Sequence, residues 1–119
     1  MKTIFRLTVS MLLSVACASV FAHASLQSSS PKANEVVMVA PTAIVLRFNE
    51  TLEAPFSRIT LINLKSGAVK TTKATVDSAH PQILRLATTP LGVGNYQVQW
   101  STMTQDGHRA KGQFGFQVK

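Results

Sequence analysis

Across the last quarter of this chain, side chains alternate between apolar and polar with a period of two residues. In residues 95–104, Tyr96, Val98 and Trp100 fall on one face, while Gln97, Gln99 and Ser101 fall on the other. Phe114, Phe116 and Val118 repeat the arrangement near the C-terminus. A helix would spread these residues around its circumference, whereas an extended strand aligns them on one side. Nothing after residue 22 sustains a helical period long enough for a core helix, so the pattern restricts the chain to an all-β fold.

Earlier segments agree. Residues 43–48 place Ile44, Leu46 and Phe48 on one face, with Val45 and Arg47 on the other. Residues 58–64 form another apolar run, closed by Lys65-Ser66-Gly67, whose glycine suits a hairpin. Further strands are expected over residues 24–28, 69–76 and 82–87, with turns at 30–34 and 90–94 where Pro, Gly and Asn gather. About seven short strands with turns every ten or so residues describe a β-sandwich or a small Greek-key barrel. Phe48, Trp100, Phe114 and Phe116 are assigned to its core, because a half-buried strand requires that spacing. Neither an internal repeat nor a low-complexity segment interrupts the pattern, so a single domain is expected.

The first 22 residues stand outside this pattern. Lys2 and Arg6 precede an apolar and small-residue stretch that ends in Val20-Phe21-Ala22, which suits signal peptidase. That stretch is short for a membrane span. It reads as a signal peptide over residues 1–22, leaving an exported domain of residues 23–119 that begins with His23. A retained N-terminal anchor is one alternative. Lipoprotein processing at Ser14-Val15-Ala16-Cys17 is another, although Ser14 stands where a bulky apolar residue belongs. Cys17 is the only cysteine, so the mature domain has no disulfide framework.

Removing Lys2 and Arg6 lowers the formal charge from +7 to +5. The remaining basic residues are scattered singly and lack the clustering and aromatic platforms of a nucleic-acid surface. Solubility or a weak attraction to anionic lipid accounts for such a charge. There is no Gly-x-Ser-x-Gly elbow, no mature cysteine, and nothing that selects a catalytic pair among the five carboxylates.

Three histidines follow the leader: His23, His80 and His108. Asp106 and His108 are separated only by Gly107, a spacing that puts a carboxylate and an imidazole within reach of one metal ion on a strand end or tight turn. Asp-Gly is also an ordinary turn signal. The N-terminus adds to the metal reading. A terminal His23 offers an amine and an imidazole that chelate together, and the amine gives up its proton to a metal easily near neutral pH. Three nitrogens and one carboxylate oxygen suit Cu(II), which heads the divalent affinity order. His80, in Asp77-Ser-Ala-His80-Pro81, reads as a solvated turn residue. Met38 and Met103, the mature methionines, are too few and too far apart in sequence for a Cu(I) thioether site.

Taken in order, these pieces resemble the CopC family of periplasmic copper-binding proteins, and among them the short YobA-like members. The pieces are His23-Ala-Ser-Leu26 followed by Ser30-Pro31, Leu46-Arg-Phe48-Asn-Glu50, and Tyr96-Gln-Val-Gln-Trp100 leading to Asp106-Gly-His108-x-x-x-Gly112-x-Phe114-x-Phe116-x-Val118. The resemblance implies a seven-stranded Greek-key barrel or sandwich, cupredoxin-like or immunoglobulin-like in architecture. It implies one Cu(II) per chain in a histidine brace, with the His23 amine and imidazole, the His108 imidazole and the Asp106 carboxylate as ligands. Glu50 falls at the family's Phe-x-Glu position, near the site. The methionine-rich Cu(I) loop of some members is missing, since residues 55–64 contain no methionine. The implied role is a non-enzymatic copper carrier or buffer serving a CopD-like inner-membrane permease. A copper oxidase or monooxygenase built on the same brace, or a metal-free β-sandwich interaction module, are the competing functions.

Overall fold

The computed structural model describes residues 24–119, nearly all of it strand and connecting loop. Nine strands lie among the described residues: β1 (Leu26–Ser30), β2 (Val36–Val37), β3 (Ala43–Phe48), β4 (Arg58–Asn63), β5 (Gly67–Ala68), β6 (Thr75–Val76), β7 (Ile83–Ala87), β8 (Gly94–Met103) and β9 (Arg109–Val118). They form a four-stranded sheet in the order β1-β3-β7-β6 and a five-stranded sheet in the order β2-β9-β8-β4-β5. The architecture is therefore a two-sheet sandwich, not a closed barrel, and it has more strands than the expected seven.

The alternating pattern determines which faces meet. Ile44, Leu46 and Phe48 of β3 and Leu84 and Leu86 of β7 are buried from one sheet; Ile59, Leu61, Tyr96, Val98, Phe116 and Val118 are buried from the other. Burying a side chain of this size contributes about 1.5–3 kcal/mol, so these faces supply the main drive for folding. Tyr96 stacks on its cross-strand partner Phe116 with ring centroids 5.4 Å apart. Phe48 meets Trp100 edge-on at 5.0 Å and thereby ties β3 to β8 across the sandwich. Phe48 and Phe116 are buried as expected, whereas Trp100 and Phe114 are only partly covered and pack against the margin of the core.

Three local expectations change. The first strand begins two residues later than expected, and its register with β3 shifts between Leu26 and Ser28. Of the strand expected over residues 69–76 only Thr75–Val76 forms, pairing with β7 in one sheet, while Val69 N–H continues the other sheet past β5 by donating to the Leu61 carbonyl at 2.9 Å. The chain crosses between sheets there and cannot ladder with both. Finally, β2 runs parallel to β9, a pairing that two valines beside a turn do not announce.

Two features shape the end of the sandwich that carries the β8–β9 turn. Strands β8 and β9 form a long hairpin, in register from Gly94↔Val118 to Met103↔Arg109, which holds residues 104–108 at its tip. The connection from β3 to β4 crosses the same end of the sandwich as a strap. Leu52 bridges Thr104, Glu53 N–H donates to the Met103 carbonyl at 2.8 Å, and Gln105 N–H donates to the Thr51 carbonyl at 3.3 Å. The Ser57 hydroxyl donates to the Glu53 carbonyl at 2.9 Å and accepts the Met103 N–H at 3.3 Å, closing the strap onto the hairpin.

Candidate metal centre

The hairpin tip is a tight turn, closed by Gly107 N–H on the Thr104 carbonyl at 2.9 Å and by Thr104 N–H on the His108 carbonyl at 2.9 Å. Gly107 has φ of 85°, in the left-handed region that glycine enters without a Cβ penalty. The turn folds Asp106 and His108 together, with Asp106 Oδ2 2.9 Å from His108 Nδ1. Both side chains reach solvent, Asp106 at 52% and His108 at 38% exposure, so the pair is open to an incoming ion.

Thr104 supports this pair from below. It is buried, and its hydroxyl donates to Asp106 Oδ1. That hydrogen bond is the main reason the Asp106 carboxyl sits below its usual range. Partial desolvation opposes the shift, while the His108 backbone N–H and the nearby imidazole reinforce it. The carboxylate is thus kept ionised and fixed in orientation, as a metal ligand or its supporting group must be.

Among the described residues, no third His, Cys, Asp or Glu joins this pair to make a metal cluster. The other expected donor, His23, lies outside the described residues. The structure does show where the chain enters the fold. Ser25 N–H donates to Asn49 Oδ1 at 2.8 Å, and Asn49 N–H donates back to the Ser25 carbonyl at 3.2 Å. Ala24 is buried in the core. Asn49 is two residues from Thr51, whose carbonyl accepts the Gln105 N–H, so one strap fixes both the start of β1 and the Asp106–His108 turn. Glu50 lies between these anchors, half-buried, and among the described residues it makes no hydrogen bond or ion pair with Asp106 or His108.

The CopC domain family matches residues 26–119.

The chain belongs to the CopC family. Protein YobA of Escherichia coli K12 is 37% identical over 102 residues, which span 85% of this chain and 82% of that protein. The crystal structure of CopC from Methylosinus trichosporium OB3b matches with a TM-score of 0.76 and 30% identity, over 82% of this chain and 94% of that one. The crystal structure of PcoC, described as a methionine-rich copper resistance protein from Escherichia coli, matches with a TM-score of 0.72 and 34% identity, over 82% of this chain and 100% of that one.

Within the CopC fold, Met38 follows β2 at the far end of the sheet and Met103 ends β8 beside the turn. The length of the β8–β9 hairpin between them, roughly 30 Å at 3.3 Å per residue, keeps them from sharing an ion. His80 also stays apart. It is 64% exposed in the turn before β7, where Asp77 Oδ1 accepts the backbone N–H groups of Ala79 and His80 at 2.9 and 3.1 Å.

Two contributors escaped the sequence reading. Thr104 precedes Asp106 by two residues, a Ser/Thr-x-Asp spacing common in turns, but its burial is tertiary. Asn49 stands within the Phe48-Asn-Glu50 motif, and only its contact with Ser25 reveals its role.

Proposed function

We propose that this CopC-family chain is a periplasmic copper carrier or buffer that binds one Cu(II) and catalyses no reaction. After cleavage behind Ala22, the ligands are the His23 amine and imidazole, the His108 imidazole and the Asp106 carboxylate. The observation that carries this reading is the strap, which anchors Ser25 through Asn49 and Gln105 through Thr51 at the same end of the sandwich. The chain's entry and the Asp106–His108 turn are therefore built as neighbours. A nitrogen-rich set with one carboxylate favours Cu(II), and with Met38 and Met103 at opposite ends of the sheet no thioether cluster attracts Cu(I). An inner-membrane permease of the CopD kind is the proposed recipient of the ion.

The decisive experiment leaves the fold alone. Protein beginning at His23 and protein carrying one extra glycine before it are titrated with Cu(II) against a competing chelator. The extension turns the amine into an amide, which is no longer a ready donor at neutral pH, and affinity falls at least tenfold, roughly the scale of losing a supporting interaction. Equal affinities would remove the N-terminus from the site and overturn the brace.

A further inference from the structure

In sequence the cations are scattered, but strand register gathers three of them. Arg58 of β4, Ser101 of β8 and Lys111 of β9 lie in one row across three neighbouring strands. Thr60, Gln99 and Gln113 form the next row, and Arg109 stands opposite Met103 at the hairpin's end. The adjoining positions Ile59, Val98 and Ala110 face the core, so these rows form the outer face of the five-stranded sheet.

This face is concave, with a groove of about 510 Å³ lined by Arg58, Thr60, Gln99, Trp100, Lys111 and Gln113. None of the five acidic residues lies on β4, β8 or β9. Arg58, Arg109 and Lys111 are exposed, and the ion pairs found among the described residues use Asp77 and Asp106 with other partners. Clustered cations without counter-charge repel one another and project a field that draws in anions.

We propose that this groove docks an acidic segment of the protein that exchanges copper with this chain, seating that partner beside the Asp106–His108 turn. The position next to the turn gains its meaning from the copper-carrier reading, while the docking itself requires no metal. Charge and shape select the occupant. A second copy would bring the same cations face to face. A lipid surface is flat and would meet the rim of the groove, leaving Thr60, Gln99 and Gln113 without partners. A peptide fills the groove, presenting amide groups to those side chains and carboxylates to the cations. Arg109 and Lys111 are about 6.6 Å apart along β9, and Arg58 and Lys111 are about 9.6 Å apart across two strand spacings. An extended segment lying along β9 with acids two residues apart presents both carboxylates on one face and matches the Arg109–Lys111 separation, while Arg58 flanks it from β4.

The test uses the metal-free domain and an acetylated peptide with glutamates at every second residue and no His, Cys or Met. Backbone amide shifts are followed by NMR during titration at low salt. The expected result is a set of shifts confined to β4, β8 and β9. Affinity should fall at least tenfold in Arg58→Ser/Lys111→Ser, and by less than twofold in Lys70→Ser/Lys73→Ser, which removes the same charge from an exposed loop. Thermal unfolding confirms that both variants remain folded. Equal weakening by the two double variants, or shifts spread over the whole surface, would reduce the effect to net charge and overturn the proposal. Tighter binding to phosphatidylglycerol vesicles than to the peptide, lost on the same Arg58/Lys111 substitution, would overturn it in favour of a membrane surface. Because copper is left out, failure here leaves the metal site standing, and failure of the metal site leaves this result intact.

Discussion

Gly112 lies opposite Trp100 in the β8–β9 hairpin, and the indole covers the space a side chain would need. A Cβ at Gly112 would stand 2.5 Å from Trp100 Cζ2, 2.8 Å from Cε2 and 3.1 Å from Nε1. Carbon atoms settle about 3.5–4.0 Å apart, so the ring must retreat by roughly 1 Å. Phe48 lies against it, edge-on at 5.0 Å and almost wholly buried, so the retreat disturbs the core. Overpacking of this kind costs about 1–3 kcal/mol, and loss of the aromatic contact adds about 0.5–1.5 kcal/mol. Replacing a strand glycine returns about 0.5–1 kcal/mol of backbone entropy. The net expectation for Gly112→Ala is a loss of about 1–3.5 kcal/mol. In a domain of this size each kcal/mol moves Tm by about 4–8 °C, so Tm falls by roughly 4–28 °C. Thermal unfolding of the metal-free domain measures this, and Trp100, the only tryptophan, should change its emission as its contact with Phe48 is disturbed. Gly92→Ala serves as control, since nothing lies within 4 Å of its added Cβ. A Gly112→Ala protein with unchanged Tm and unchanged emission would refute the packing argument.

Further outcomes follow from the turn and the strap. Thr104→Val removes the hydroxyl that chiefly holds Asp106 down, so NMR titration should find its carboxyl pKa raised toward the ordinary range. Because the folded-state value is lowered, Asp106 contributes stability above the ordinary carboxylate pKa and loses it as pH falls through the folded value. Denaturation of wild type and Asp106→Asn should accordingly differ at neutral pH and converge below about pH 4. On the proposed brace, His108→Ala weakens Cu(II) binding more than Asp106→Asn does, as competition titration of the folded variants would show; equal effects would count against the ligand assignment. Asn49→Ala should weaken Cu(II) binding in protein beginning at His23 but add little once a glycine precedes it, since both changes then act on the same chelate. Additive losses would make Asn49 merely structural.

The sheet strands were legible because their inward positions recur every second residue, as in Ile44, Leu46 and Phe48. The crossing at residues 69–76 was not, since Val69 and Val76 look like one strand although they serve different sheets. At the site, Asp106 and His108 could be read from spacing because they share one turn. Thr104 and Asn49 could not, because burial and a contact between residues 25 and 49 are properties of the folded chain. The same holds for Arg58 and Lys111, which are distant in sequence and adjacent only through the register of three strands.

The margins of the sandwich also govern how copies of this protein meet. The four sheet edges are β1, β6, β2 and β5, and the last three are two residues long. An incoming strand would find only a stub of free N–H and C=O groups on each. The fourth edge, β1, is rich in serine and broken by its register shift, which denies a neighbour the flat, apolar template that fibres need. Among the described residues, polymerisation by strand addition therefore finds little foothold, and association through faces and turns is favoured.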